Sequence, residues 1–257
     1  MAVTGPSAMQ HAVLEWYNQQ QRDLPWRHTD DPYAILVSEV MLQQTQVPRV
    51  IPRYHAWLDR WPTVDALAAA ELADVIRAWD GLGYNRRAVS LHRCAAAVVE
   101  LGGFPQQPHE LVRLPGIGPY TAAAVACFAF GAQVAAPDVN ARRVLERAGR
   151  PDAVPPEGRA YEWNQALFDL GSGVCVARKP RCGLCPLAAT CPSRGRTFAP
   201  SRRQSAFDGS FRQRRSRLLK QLAADGPLAG GAVDRAALEA LIADGLAVLD
   251  GDLARLP

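Results

Sequence analysis

Four of the chain's six cysteines fall within one short stretch, as Cys175, Cys182, Cys185 and Cys191. The spacing C-x6-C-x2-C-x5-C lets four thiolates converge on one centre. The Pro and Gly turns of "KPRCGLCPLAATC" let the chain wrap that centre. In a reducing compartment such density reads as metal binding rather than disulfides. By chemistry alone, four thiolates suit zinc or a 4Fe–4S cluster. The spacing leaves both open, beside the bland alternative of four unliganded cysteines. Cys94 and Cys127 stand apart in Ala/Val-rich helical runs and read as small core residues.

The rest of the chain is patterned as helix. Ser7 caps a first helix running to about Gln21, and Asp30 or Asp31 caps a second that has Pro32 at its first position. In that second helix Ile35, Leu36, Val40 and Met41 form an apolar stripe. Further helices are expected around 49–60, 63–69, 71–80, 86–101, 108–113, 119–130, 139–149 and 157–170. No convincing strand precedes residue 245. The expected class is all-α, with many short helices and short connections. Residues 193–217 turn Arg-, Ser- and Gly-rich and read as a basic linker. Two amphipathic stretches follow, at about 214–224 and 232–244. Then "LAVLDGDLARL" places Asp250-Gly251 between two alternating runs, a hairpin signal. That order resembles a small winged-helix module, and equally a packing appendage.

The chain has 257 residues, 48% of them hydrophobic and 21% charged, so it is long enough for one or two real cores and is not disordered. No apolar run reaches the roughly 18 residues that span a bilayer, and the N-terminus carries no secretory pattern. A cytoplasmic protein without membrane association is expected. The net charge of +4 is too mild to establish nucleic-acid binding by itself. The kind of charge is more telling: the two lysines are Lys179 and Lys220, and every other basic side chain is Arg.

"RLPGIGPYTAAAV", Arg113–Val125, sets two glycines before an Ala-rich helical run. Such a turn presents backbone N–H groups at a helix N-terminus, which suits a phosphate. Glu39 is a lone acid within "ILVSEVML". A carboxyl among apolar neighbours is desolvated, which favours its protonated form. On the residue alone, a solvent-facing helix glutamate is the more ordinary reading. Asp138 precedes "VNARRVLERAG" and reads as a helix N-cap.

"LPGIGPYTAAAV" resembles a helix-hairpin-helix motif, and with the cysteine spacing after it the chain resembles the endonuclease III superfamily of DNA glycosylases. "VSEVMLQQTQV" and "GLGYNRRAVSLH" narrow the resemblance to the adenine glycosylase (MutY-type) branch. It covers about residues 10–192. The resemblance implies a six-helix barrel lobe at 28–137, with the helix-hairpin-helix at 108–130. It implies a second lobe of the N-terminal helix (1–27) plus 138–192 holding a 4Fe–4S cluster. Double-stranded DNA would lie across the cleft, bound by a monomer. Residues 193–257 are too few and too helical for the Nudix-like domain found in most relatives, so a short form is expected.

The family's roles map onto matched positions. Glu39 would protonate adenine N7, and Asp138 would stabilise the oxocarbenium-like intermediate with Asn140 beside it. Val139 stands where many relatives have Gly. Tyr120 occupies the place where bifunctional relatives carry a Schiff-base lysine, and no lysine precedes residue 179. Hydrolysis by water without a dedicated lyase step is therefore expected. Gln44 and Tyr84 match residues that wedge into the duplex; as bland residues they would be a surface amide and a packing aromatic. Trp26 and Arg27 match the lining of the adenine pocket, and Gln165 matches a reader of the adenine edge. Amides at Gly116, Ile117 and Gly118 would hold a phosphate. Arg142 and Arg143 are cation candidates for DNA, or a solvated helix face. The expected substrate is adenine opposite 8-oxoguanine or guanine, in base excision repair. The alternatives are a thymine glycosylase acting on T:G, whose branch also has Tyr at the Tyr120 position, and a non-catalytic DNA-binding iron–sulfur protein.

Overall fold

The computed structural model describes residues 7–199 and 206–257. The middle of the expected basic linker, 200–205, lies outside the described residues. Twelve α-helices are described: α1 (Ala8–Gln20), α2 (Pro32–Leu42), α3 (Val47–Arg60), α4 (Val64–Ala68), α5 (Leu72–Ala78), α6 (Arg86–Glu100), α7 (Pro108–Leu111), α8 (Pro119–Phe130), α9 (Val139–Arg147), α10 (Ala160–Asp169), α11 (Phe211–Asp225) and α12 (Arg235–Ala243). None of them is long and apolar enough to cross a membrane.

Capping residues set the helix starts. Ser7 and Gln10 form a reciprocal capping box on α1. Asp31, rather than Asp30, caps α2: its carboxylate accepts from the Tyr33 and Ala34 amides at 3.0 and 3.3 Å. Every residue from Tyr33 to Met41 is buried, so α2 is a core helix rather than a one-faced surface helix.

The chain divides into two compact units. The first comprises Met1–Ile35, Gln106–Val112 and Ile117–Arg203. Its core joins α1, α9 and α10 through Val13, Leu14, Tyr17, Val144, Trp163 and Leu167. The second comprises Leu36–Pro105, Arg113–Gly116 and Gln204–Pro257. In it Trp57 meets Trp61 and Trp79 edge-on, at centroid distances of 4.7 and 5.4 Å.

This division differs from the expected lobe boundaries: residues 28–35, 106–112 and 117–137 fall in the first unit, and the C-terminal segment falls in the second. Helix α8 falls with α10, because Tyr120 and Phe128 meet Phe168 edge-on at 6.2 and 6.1 Å. The C-terminal segment falls with α5 and α6, because Ile76 and Val89 share a core with Leu218, Leu219, Leu222, Leu238 and Leu241.

The C-terminal segment runs α11, β1 (Leu228–Ala229), α12, β2 (Val248–Asp250), β3 (Leu253–Arg255). Its antiparallel sheet has the order β1-β3-β2. Strand β1 precedes residue 245, against expectation; two residues are too short to display alternation. The hairpin register is also one residue later than read, since Asp250 pairs with Leu253 and the turn is Gly251-Asp252.

Candidate active site and iron–sulfur segment

Cys175, Cys182, Cys185 and Cys191 line one pocket together with Arg147 and Pro180. Among the described residues, no three His, Cys, Asp or Glu side chains close around a single ion. Zinc would need sulfurs about 2.3 Å from one point. Four thiols on the walls of one pocket are a donor set that a 4Fe–4S group takes. The surroundings also suit thiolate sulfur: Arg147 Nη1 and the Gly195 amide donate to Cys175 and Cys182 Sγ at 3.6 and 3.4 Å. Cys94 and Cys127 are fully buried, as expected.

Asp138 is the N-cap of α9. Its Oδ1 accepts from the Asn140 and Ala141 amides at 2.9 and 2.7 Å, and Oδ2 accepts from Asn140 Nδ2 at 2.7 Å. The carboxylate is thus fixed by three donors and only half-buried. Asn140 Oδ1 in turn accepts from Arg143 Nη2 at 2.9 Å. Arg143 continues to the Gly171 carbonyl at 2.6 Å and the Cys175 carbonyl at 2.9 Å. Burial pushes the Arg143 guanidinium below its ordinary value. Arg143 is therefore an internal brace that links Asn140, the partner of Asp138, to the cysteine segment. Gly171 allows this approach, since a Cβ there would lie 2.8 Å from Asn140 Cβ. It sits in a π-helical turn, Leu170–Val174, that ends α10.

Tyr120 begins α8, half-buried against Phe168. Glu39 lies mid-α2 and is 6% exposed. The structure therefore puts it inside the apolar helix face, and the solvent-facing alternative is removed.

Arg27 and Gln165 are brought into contact: Arg27 Nε donates to Gln165 Oε1 at 2.8 Å. Gln165 and Trp26 are buried, 5% and 7% exposed. With its oxygen engaged, the Gln165 amide has its NH2 left to offer a ligand. Asp169, a residue the sequence did not single out, accepts from Arg27 Nη1 and Nη2 at 2.9 and 2.8 Å and from Arg22. Burial works against charge on Arg27, but Asp169 outweighs it and holds the guanidinium above its ordinary value. Spacing could not reveal this pair, which spans 142 residues.

Between α7 and α8, Gly116 takes φ +77° and leaves no room for a side chain, since a Cβ would lie 2.5 Å from Ser90 Cβ. Gly118 is the N-cap of α8, and Pro119 opens the helix. Among the described residues, the N–H groups of Gly116, Ile117 and Gly118 donate to no backbone acceptor. Gln44 and Tyr84 are both exposed and both have left-handed backbone, at φ 59° and 47°. They are the only non-glycine residues with positive φ among those described.

Comparison with known proteins agrees with this geometry. Residues 37–167 match the HhH-GPD superfamily of base excision DNA repair proteins. Residues 175–191, which begin and end on cysteines, match the iron-sulfur binding domain of endonuclease III. An adenine DNA glycosylase of Mycobacterium tuberculosis is 44% identical over 95% of this chain and 92% of its own. One from Mycolicibacterium smegmatis is 46% identical over 82% of this chain and 78% of its own. Among solved structures, a thermostable thymine-DNA glycosylase aligns with TM-score 0.66 and 29% identity, over 72% of this chain and 94% of that one. The chain belongs to the adenine DNA glycosylase family of the HhH-GPD superfamily, enzymes that act on DNA in base excision repair and carry an iron–sulfur cluster.

Proposed function

We propose that this glycosylase removes adenine mispaired with 8-oxoguanine or guanine, as a cytoplasmic monomer acting on nucleoid DNA, by hydrolysis without a lyase step. The observation that carries the hydrolytic reading is the Asp138 carboxylate, held by three donors at the start of α9. An anion fixed in this way stabilises positive charge building on the sugar without having to reorganise. Glu39 supplies the proton to adenine N7. The C1′–N9 bond breaks, the base departs with the bonding pair, and water adds its hydroxyl to C1′ and gives its proton to the Glu39 carboxylate, which restores the acid. Asn140 keeps the Asp138 carboxylate oriented.

Trp26, Arg27 and Gln165 line the adenine pocket, and Gln44 and Tyr84 enter the duplex as a wedge. Amides of Gly116, Ile117 and Gly118 hold a backbone phosphate. Cys175, Cys182, Cys185 and Cys191 ligate a 4Fe–4S cluster, which when bound ties residues 175–191 into one rigid segment. The basic residues of 193–217 add backbone contacts to the DNA.

Duplexes carrying A:8-oxoG, A:G and T:G, incubated with protein and divided between hot alkali and neutral quenching, test the reading. Alkali-dependent breaks at adenine are expected, with intact strands after neutral quenching. The likeness to a thymine-DNA glycosylase gives T:G a second claim, and breaks in the T:G duplex alone would overturn the adenine reading. Replacing Tyr120 by lysine should add a species that borohydride traps covalently on DNA, which the native protein lacks.

A further inference from the structure

Arg87, the second residue of α6, is half-buried and has no carboxylate among its partners in the described residues. Its Nη1 donates to the carbonyls of Val40, Met41 and Gln43 at 2.6, 3.1 and 2.6 Å. Its Nη2 donates to Thr45 Oγ1, Leu82 O and Gly83 O at 3.1, 3.2 and 2.9 Å. Nε reaches the Tyr84 carbonyl at 3.4 Å, and the guanidinium lies 5.2 and 5.7 Å from the Trp79 and Tyr84 ring centroids. Thr45 Oγ1 itself donates to Leu82 O at 3.3 Å, a second tie between the same two loops.

These acceptors belong to three features: the C-terminal end of α2, the turn holding Gln44, and the loop holding Tyr84. Left-handed backbone is strained for residues with long or bulky side chains and persists where surrounding bonds over-determine it. Here one guanidinium holds the Gln43 carbonyl and the Thr45 hydroxyl on either side of Gln44, and the Gly83 and Tyr84 carbonyls at the second strained residue. It caps α2 one residue past Glu39, where a cation opposes the helix dipole. Burial pushes the Arg87 guanidinium down to about 10, so the charge is retained against a desolvation cost.

We propose that Arg87 is a positioning residue that locks Gln44 and Tyr84 into one preformed wedge and anchors that wedge to the helix carrying Glu39. The inference rests on the reading that Gln44 and Tyr84 enter the duplex. Arg87 touches no substrate. It acts by fixing the spacing and outward aim of the two side chains before DNA arrives, so that no binding energy goes into ordering them. Lysine cannot replace it, because an ammonium has three donors and no planar fork to span two loops.

The test uses the full-length, cluster-containing protein and a duplex with 2-aminopurine placed beside the target adenine, whose fluorescence reports unstacking. Arg87→Lys and Arg87→Met should each lower the unstacking amplitude and the single-turnover excision rate by about 10-fold or more. Affinity for undamaged duplex should stay within about 2-fold, since no phosphate contact is lost. Thr45→Val removes both hydroxyl ties, from Arg87 and to Leu82, and leaves the fold's cation in place, so it should give a smaller loss of the same kind. It keeps the test informative if the Arg87 variants do not fold. Adding Arg87→Lys to a variant that already carries Gln44→Ala and Tyr84→Ala should cause little further loss.

If Gln44→Ala and Tyr84→Ala leave unstacking unchanged, the wedge reading fails and the inference falls with it. If those two lower unstacking while folded Arg87→Lys and Thr45→Val do not, the wedge reading stands and the positioning role is overturned. Additive losses in the combined variant would likewise overturn it.

Discussion

Asp138 has two separable tasks, and a single substitution tells them apart. As an N-cap it needs only an acceptor, and asparagine serves nearly as well as aspartate. As a partner for positive charge on the sugar it needs its charge. Asp138→Asn should therefore leave the stability read from thermal melts within about 1 kcal/mol of native. The single-turnover rate should fall by at least about 100-fold, the scale of losing one preorganised electrostatic partner. A large loss of stability with a proportionate loss of rate would make the residue a cap and nothing more. The sequence showed the Asp138 cap and its Asn140 neighbour because both lie within one helical turn. It did not show the brace made by Arg143, whose acceptors Gly171 and Cys175 lie 28 and 32 residues away and meet it only through α10 and its π-helical end. It passed over Arg87 for the same reason.

Tyr17 gives the residue scale a pH dependence. Burial pushes its hydroxyl up to about 12, with Arg27 pulling the other way. Between pH 10 and 12 the folded chain keeps a proton that the unfolded chain has released. The contribution to stability is thus complete below pH 10 and is lost as pH rises towards 12. Thermal melts across this window should show native protein losing roughly 2 kcal/mol more than Tyr17→Phe. Parallel curves for the two proteins would contradict the assignment.

At the scale of elements, the α7–α8 turn separates what a fold requires from what a ligand requires. Gly116 is needed by the fold, through its left-handed φ and its approach to Ser90. Gly118 has φ −89° and open space around its Cβ position. Gly116→Ala should lower stability by about 2–3 kcal/mol, from left-handed strain plus overpacking. Gly118→Ala should change stability by at most about 1 kcal/mol, yet weaken binding to any duplex if a phosphate approaches that amide. Melts and binding to undamaged DNA measure the two effects independently. Equal affinities for native protein and Gly118→Ala would remove the phosphate role. Both glycines were legible as a turn motif. Their different duties were not, because Ser90 enters from α6, 26 residues away in sequence. The left-handed Gln44 and Tyr84 were equally hidden, since neither residue type announces such a backbone. Helix caps, by contrast, are local interactions, which is why α1, α2, α8 and α9 began where composition indicated.

At the scale of the whole molecule, the C-terminal segment changes character. As sequence, residues 193–217 are a basic run suited to following a phosphate backbone. In the structure Arg214 pairs with Asp234 at 2.9 Å, and Arg215 pairs with Asp244. Part of the run's charge is therefore neutralised within its own module. Leu218, Leu219 and Leu222 of α11 share a core with Ile76 and Val89 of α5 and α6. Periodicity revealed that α11 had an apolar face but could not name its partner. Ending the chain before α11 would uncover Ile76 and Val89, each worth about 1.5–3 kcal/mol when buried. Such a truncation should melt early and lose cleavage of A:8-oxoG and A:G alike, which says nothing about how the opposite base is read. The informative change is Arg212→Ala with Arg217→Ala, on the exposed side of α11. If α11 follows the DNA, this pair should keep the native melting temperature and reduce the salt dependence of duplex binding by a slope of about 1–2. An unchanged slope would leave α11 as a structural cover for α5 and α6, and backbone contact would then belong to other parts of the chain.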